Sequence, residues 1–386
     1  MLVRLREEVQ EVSRPLAAVL ILGAVVSCAR GSNDIGGPST SVPTISPIAA
    51  ASVAASAGPG ILDDRFGYVV GERELKVRSE TSDAAITSFV PQGRSWTSLS
   101  RTVAPDGGAI AYWAPVNDGA VLHVRSAATG ADRAVFTAAS DMSGNTFAWS
   151  SDGTGLVIAI DNNCQEICAV QGGTPKQELW TVDLPTGATE KIATGRYWLP
   201  VAWDRTAKLI AAGLTGPGGY LIGYDIIDTR LKPYVSKVTG YEPALLGQLR
   251  ASSDARYVLL RAYGATADTL SWWPLAEPQK RQDVPFDGSG AEWRPGTSEI
   301  WWLAGLTPAG CRVPPCVGTE LVALDVVTGA RRSIRGTFGG SLVGFRVDGS
   351  AAMTWQRVAP ESLIVVDVAS TRTATLPVGG WFVRLR

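Results

Sequence analysis

Two phrases recur along this chain at near-constant spacing, and a recurring unit limits the possible folds more than any single motif does. The first is a turn carrying Asp or Gly, followed by an apolar run. It reads VAPDGGAIAYW from Val103, WSSDGTGLVIAI from Trp149, WDRTAKLIAAG from Trp203, ASSDARYVLLRA from Ala251, WRPGTSEIWWLAG from Trp293 and FRVDGSAAMTW from Phe345. The second is a strand-like run ending near an Asp or a Thr-Gly turn. It reads ELKVRS at Glu74, VLHVRSAATG at Val121, ELWTVDLPTG at Glu178, YLIGYDIIDT at Tyr220, TLSWWPLAEP at Thr269, ELVALDVVTG at Glu320 and SLIVVDVAST at Ser362. Asp183 and Asp225 are 42 residues apart, as are Asp325 and Asp367, and the 100 residues from Asp225 to Asp325 hold one further copy.

Seven copies of the second phrase after Gly60 allot about 47 residues to each, the length of a four-stranded antiparallel unit. Short runs rich in Val, Ile, Trp and Tyr between turn residues read as all-β, and the lack of a 3.6-residue period argues against a helical solenoid. The first phrase occurs only six times. FGYVVGERELKVRSETSDAAITSF near the start has no leading strand, and GGWFVRLR, from Gly379 to Arg386, is a strand without a following turn. The expected architecture is therefore a seven-bladed β-propeller of four-stranded antiparallel blades. The C-terminal strand pairs into the first blade, closing the ring and removing an open edge. The W-S-x-D-G turn, the strand after it and the ELWxVDLxTG phrase resemble the WD40-like repeats of TolB-type propellers and of some actinobacterial lipoprotein propellers, from Phe66 to Arg386. The resemblance implies the fold and says almost nothing about activity. The separate N-terminal domain of TolB is missing, so its particular partners are not implied.

The first 27 residues read as an export signal rather than part of the fold. SRPLAAVLILGAVVSC, Ser13 to Cys28, has a basic residue, an apolar stretch of about a dozen residues, too short to span a bilayer comfortably, and then small residues before a cysteine. Its end resembles the lipobox of bacterial lipoproteins, which implies that Cys28 is the lipidated residue and the new N-terminus. Glu7, Glu8 and Glu11 depart from the usual positive start, and a true start at Val9 or Val12 would remove them. Residues 28–60 are dominated by Ser, Thr, Pro, Ala and Gly, cannot bury enough surface to fold, and read as a disordered tether. The propeller domain is then 61–386, exported and anchored at the extracytoplasmic face or in a periplasm.

A net charge of -1 removes the electrostatic footprint of a nucleic-acid partner. The single histidine, His123, leaves little room for His-based metal centres or Ser-His and Cys-His catalysis. Within a meandering blade the SSDG and TG turns lie on one face, and the long connections 161–177 and 306–319 lie on the other. Each long loop carries two cysteines, Cys164 with Cys168 and Cys311 with Cys316. Two local disulfides fit an exported chain better than free thiols or a zinc site, because neither pair has the CxxC spacing and the blades lie far apart.

Stiffened loops on one rim suggest a recognition surface, and Trp96, Tyr197, Trp198, Tyr241 and Glu242 are its candidate residues. The competing expectation for each aromatic is packing between blades, as for Trp149, Trp203 and Trp293 in the repeated phrase. No catalytic residue, metal ligand or cofactor site emerges. SDMSGNTF at Ser140 approaches a sialidase Asp box but has Met142 at the aspartate position, and no G-x-S-x-G elbow occurs. Asp183, Asp225, Asp325 and Asp367 recur once per blade, as scaffold residues do. The expected function is a monomeric, non-catalytic binding or assembly module for a protein, peptide or cell-envelope glycan. The alternative is a hydrolase or lyase acting on a glycan or small molecule in the funnel.

Overall fold

In the computed structural model the described residues are 51–52, 66–70, 74–78, 83–87 and 103–383, the last without 117–118, 127–128, 139–142, 162–176, 216–220, 233, 265–267, 307–316, 347, 357–361 and 378–380. They are almost entirely strand. After β1 (Ala51–Ser52), β2 (Phe66–Val70), β3 (Glu74–Arg78) and β4 (Asp83–Thr87) pair in sequence. Then come β5 (Ala109–Val116), β6 (Gly119–Ser126) and β7 (Asp132–Thr137) in a three-stranded sheet. β8 (Ser143–Trp149), β9 (Gly155–Asp161), β10 (Glu178–Asp183) and β11 (Thr189–Thr194) make a four-stranded one.

The largest sheet has seven strands: β12 (Trp198–Asp204), β13 (Leu209–Thr215), β14 (Leu221–Asp228), β15 (Val235–Ala251), β16 (Tyr257–Tyr263), β17 (Asp268–Pro274) and β18 (Gln282–Phe286). Its 17-residue β15 pairs with β14 through its first part and with β16 through its last, so one strand serves two runs of four. β19 (Ser289–Trp293), β20 (Glu299–Ala304), β21 (Gly318–Asp325) and β22 (Arg331–Phe338) follow, with β1 paired parallel to β22. The last sheet is β23 (Ser341–Phe345), β24 (Ala351–Gln356), β25 (Ser362–Asp367) and β26 (Thr373–Pro377). β27 (Trp381–Val383) pairs antiparallel with β2, through Gly67 with Val383, Tyr68 with Phe382 and Val69 with Trp381.

The apolar runs are continuous rather than alternating because the sheets inside the described core are covered on both faces. In β9, Leu156, Ile158 and Ile160 join the core shared with Trp113 and Leu122 of the preceding sheet. Their neighbours Val157 and Ala159 join the core shared with Trp203 and Ile210 of the following one. β20 does the same, with Trp301 and Leu303 facing Phe345 while Ile300 and Trp302 face Phe286. Trp301 and Trp273 have no exposed surface, and full burial of a large apolar side chain is worth about 2–3 kcal/mol.

The two phrases are hairpin turns held by their own side chains. Asp152 accepts hydrogen bonds from Ser150 Oγ at 2.6 Å and from the Thr154 amide at 3.0 Å, and Ser252 with Asp254 repeats the pattern. Asp183, Asp325 and Asp367 each end a strand and accept from the turn that follows: Thr186, Val327 with Thr328, and Ala369 with Ser370. These three are scaffold residues, as expected. Asp225 is not. The residue that ends β14 is Asp228, which pairs with Leu209 as Asp183 pairs with Gly155, and Asp225 lies three residues inside the strand. Two aspartates in YDIID allow two alignments, and pairing across the sheet selects the second.

Candidate functional site

The first strand of five consecutive runs carries a one-residue irregularity, two to four residues before the turn phrase begins. The register shifts between Gly144 and Thr146, Pro200 and Ala202, Leu246 and Gln248, Ser289 and Ala291, and Leu342 and Gly344. A bulge turns the strand and re-aims the side chains beside it. Val201 and Val343, each at such a shift, line a cavity of about 180 Å³ together with Pro105, Trp149, Trp293 and Pro295. Six runs of strands contribute to its wall, all through their first strand or the SSDG-type turn after it. The cavity is therefore walled by first strands and the short turns that follow them.

Its polar wall is a single neutral constellation. Arg250 Nε lies 3.2 Å from Glu292 Oε1, with both side chains largely buried. Gln248 donates to the same Oε1 at 3.2 Å and to the Ala291 carbonyl at 2.9 Å. Arg250 Nη1 donates to the Leu249 carbonyl at 3.3 Å. A second groove of about 450 Å³, between the turns at Arg256 and Ser298, is mostly polar. There Glu299 accepts from Arg294, Trp301 and Arg332, and these bonds outweigh its burial and hold its carboxyl below the usual range. Neither place brings together two free carboxylates, as glycoside cleavage needs.

The residues expected at the rim separate. Tyr197 is half-buried and its carbonyl accepts from the Thr215 amide at 3.0 Å. Trp198 is buried, 4% exposed, at the start of β12, and its Nε1 donates to Asp225 Oδ2 at 3.0 Å. It belongs to the core and offers no stacking face, because its indole N–H satisfies a buried carboxylate. Tyr241 and Glu242 fall within β15, with Tyr241 paired to Gly223, and their side chains lie outside the described residues. Trp96, Cys28, Cys164, Cys168, Cys311 and Cys316 also lie outside them. Trp149, Trp203 and Trp293 are buried, as expected.

His123 stacks on Tyr112 with ring centroids 5.3 Å apart, and its Nδ1 lies 3.1 Å from Asp132 Oδ1, while Tyr112 Oη donates to Asp132 Oδ2. Among the described residues no group of three or more His, Cys, Asp or Glu side chains is placed to hold a metal ion. The central Arg250–Glu292 pair was not legible in the sequence. Its members stand on separate strands 42 residues apart, and only the sheet order brings them together.

No known family model matches the chain, and no curated protein does. Solved structures do. An oligogalacturonate lyase in complex with manganese is 15% identical over 77% of this chain and 84% of that chain, with a TM-score of 0.55. The oligogalacturonate lyase of Vibrio parahaemolyticus is 13% identical over 80% of this chain and 93% of that chain, with a TM-score of 0.56. TolB from Acinetobacter baumannii is 14% identical over 84% of this chain and 66% of that chain, at a TM-score of 0.43. The lyases are β-propeller proteins, and identities this low speak for the fold alone. The chain is an all-β propeller.

Proposed function

We propose that this propeller is a non-catalytic binding or assembly module, exported and anchored by a lipid on Cys28, that presents its long-loop face to a protein, peptide or cell-envelope glycan. In this proposal the strands form seven blades. β15 supplies the outer strand of one blade and the inner strand of the next, and β27 closes the ring on β2. Cys164 with Cys168 and Cys311 with Cys316 form local disulfides that stiffen the two long loops and lower the ordering cost of binding. The protein acts as a monomer, without a cofactor or a nucleic-acid partner.

The observation that carries the proposal is the central wall itself. Its one arginine and one glutamate neutralise each other among Val, Pro, Trp and small side chains. A hydrolase or lyase needs an acid or base positioned at the reacting bond, and the one carboxylate of this wall is instead paired with an arginine. Likeness to a lyase crystallised with manganese favours the alternative only at the level of fold, and the chain has a single histidine for a metal.

The test is in-cell photocrosslinking from Gln171 and Arg312 on the long-loop face, with Asp152 and Asp348 on the turn face as controls. One protein or glycan adduct captured from both loop positions and from neither control supports the proposal. Equal labelling from the two faces, or turnover of oligogalacturonate by the purified chain, overturns it.

A further inference from the structure

The geometry points to a second site: the cavity beside the short turns takes a small, uncharged, amide-bearing apolar ligand. This site is built from first strands and short turns and is independent of what binds the long loops.

The size of the cavity sets the size of the ligand. At about 180 Å³ it is slightly larger than the roughly 150 Å³ apolar cavity that accepts benzene in a model protein, and well below the several hundred Å³ of a drug-sized site. One ring with a short substituent fills it. Pro105, Trp149, Val201, Trp293, Pro295 and Val343 supply apolar contact from five runs of strands.

The polar wall sets the substituent. Arg250 uses Nε on Glu292 and Nη1 on the Leu249 carbonyl, and among the described residues its Nη2 has no partner. Glu292 receives both Gln248 and Arg250 on Oε1, and among the described residues its Oε2 accepts nothing. A donor and an acceptor therefore stand side by side on a pair with no net charge. A carboxamide matches this, with its carbonyl accepting from Arg250 and its N–H donating to Glu292. A carboxylate would meet Glu292, and an ammonium would meet Arg250, so each carries a repulsion that the amide avoids.

The test titrates the full chain with benzamide, benzoate and benzylamine, following tryptophan fluorescence and ligand line-broadening. Benzamide is expected to bind saturably and about tenfold or more tightly than either ion. Glu292→Gln leaves Arg250 uncompensated and moves the preference to benzoate, while Arg250→Gln moves it to benzylamine. Val343→Phe fills the cavity from another strand and removes benzamide binding in a protein that still melts cooperatively. Benzamide binding no tighter than that of the ions, no saturable binding, or a preference that both charge substitutions leave unchanged would each overturn the proposal. The comparison of the three probes on the unaltered protein needs no variant to fold.

Discussion

Arg196 holds the carboxylate of Asp225 through one nitrogen, Nη1 lying 3.0 Å from Oδ1 and 3.1 Å from Oδ2. Asp225 has no exposed surface, whereas the Arg196 side chain is 44% exposed, so the pair is asymmetric. Removing the arginine takes the neutralising charge from a buried carboxylate, while removing the aspartate leaves a guanidinium that water can reach. Arg196→Ala is therefore expected to cost about 3 kcal/mol in urea unfolding, the lower end for breaking a buried pair. Adding Asp225→Asn to that variant should recover part of the loss, because the buried charge is gone. A loss below about 1 kcal/mol for Arg196→Ala would mean that the other partners of Asp225, Trp198 among them, suffice for the carboxylate.

Gly290 sits at the bulge of β19 with φ of +61°, and a Cβ there would overlap the Leu342 backbone of the neighbouring strand. Backbone cannot swing aside as a side chain can. Gly290→Ala should cost roughly 3 kcal/mol, from left-handed strain plus overpacking. Ala255 gives the opposite case. It holds φ of +56° in a turn where Gly153 holds +68°, so the chain already bears strain at that position. Ala255→Gly is expected to gain up to about 1 kcal/mol, read as a higher melting temperature.

Those two positions also mark how far the sequence could be read. The strands, their order and the buried Trp149, Trp203 and Trp293 followed from repeated phrases, because a residue that recurs in every unit serves the unit. The bulges escaped notice. Asn145, Val201, Gly247, Gly290 and Val343 are one Asn, two Val and two Gly, and what all five share is a break in register between strands. Asp225 was misread for a related reason, since Asp225 and Asp228 are equally good matches to the phrase. Trp198 looked like a loop aromatic because it opens a strand, yet its partner Asp225 lies 27 residues away. The cavity and its Arg250–Glu292 pair depend on six runs of strands converging, which no local pattern encodes.

The turn carboxylates predict the acid limit of the fold. The Thr186 hydroxyl and amide hold Asp183 below its ordinary 3.8. Burial pushes Asp325 and Asp367 upward, but the Thr328 and Val327 amides on the first, and the amide and hydroxyl of Ser370 on the second, outweigh it. Each folded carboxyl then lies below its unfolded value. The stability they contribute is complete above about pH 4 and is lost as pH falls through the folded values. Unfolding free energy should be level from about pH 7 to 5 and drop below about pH 4. Asp367→Asn should lower stability at neutral pH and flatten that drop. A stability that instead declined between pH 7 and 5 would mean that these turn carboxylates do not set the acid limit.

The proposed disulfides make a count. Mature protein unfolded without reductant should show no reactive thiol, and four after reduction, one each from Cys164, Cys168, Cys311 and Cys316. Four thiols before reduction would remove the stiffening of the long loops, and with it the low ordering cost assigned to that face.

Lipidation separates the anchor from the fold. A single Cys28→Ala substitution should abolish incorporation of labelled fatty acid and release the protein from membranes, because the apolar stretch from Leu16 to Val26 is short for a stable span. The released protein should melt at the same temperature as the anchored one, since residues 28–60 offer little apolar surface to a core. Retention of the variant in the membrane fraction would overturn the lipoprotein assignment and make the segment an uncleaved anchor. A lowered melting temperature would mean something else: that the tether, through β1 and its parallel pairing of Ala51 with Ile334, belongs to the fold.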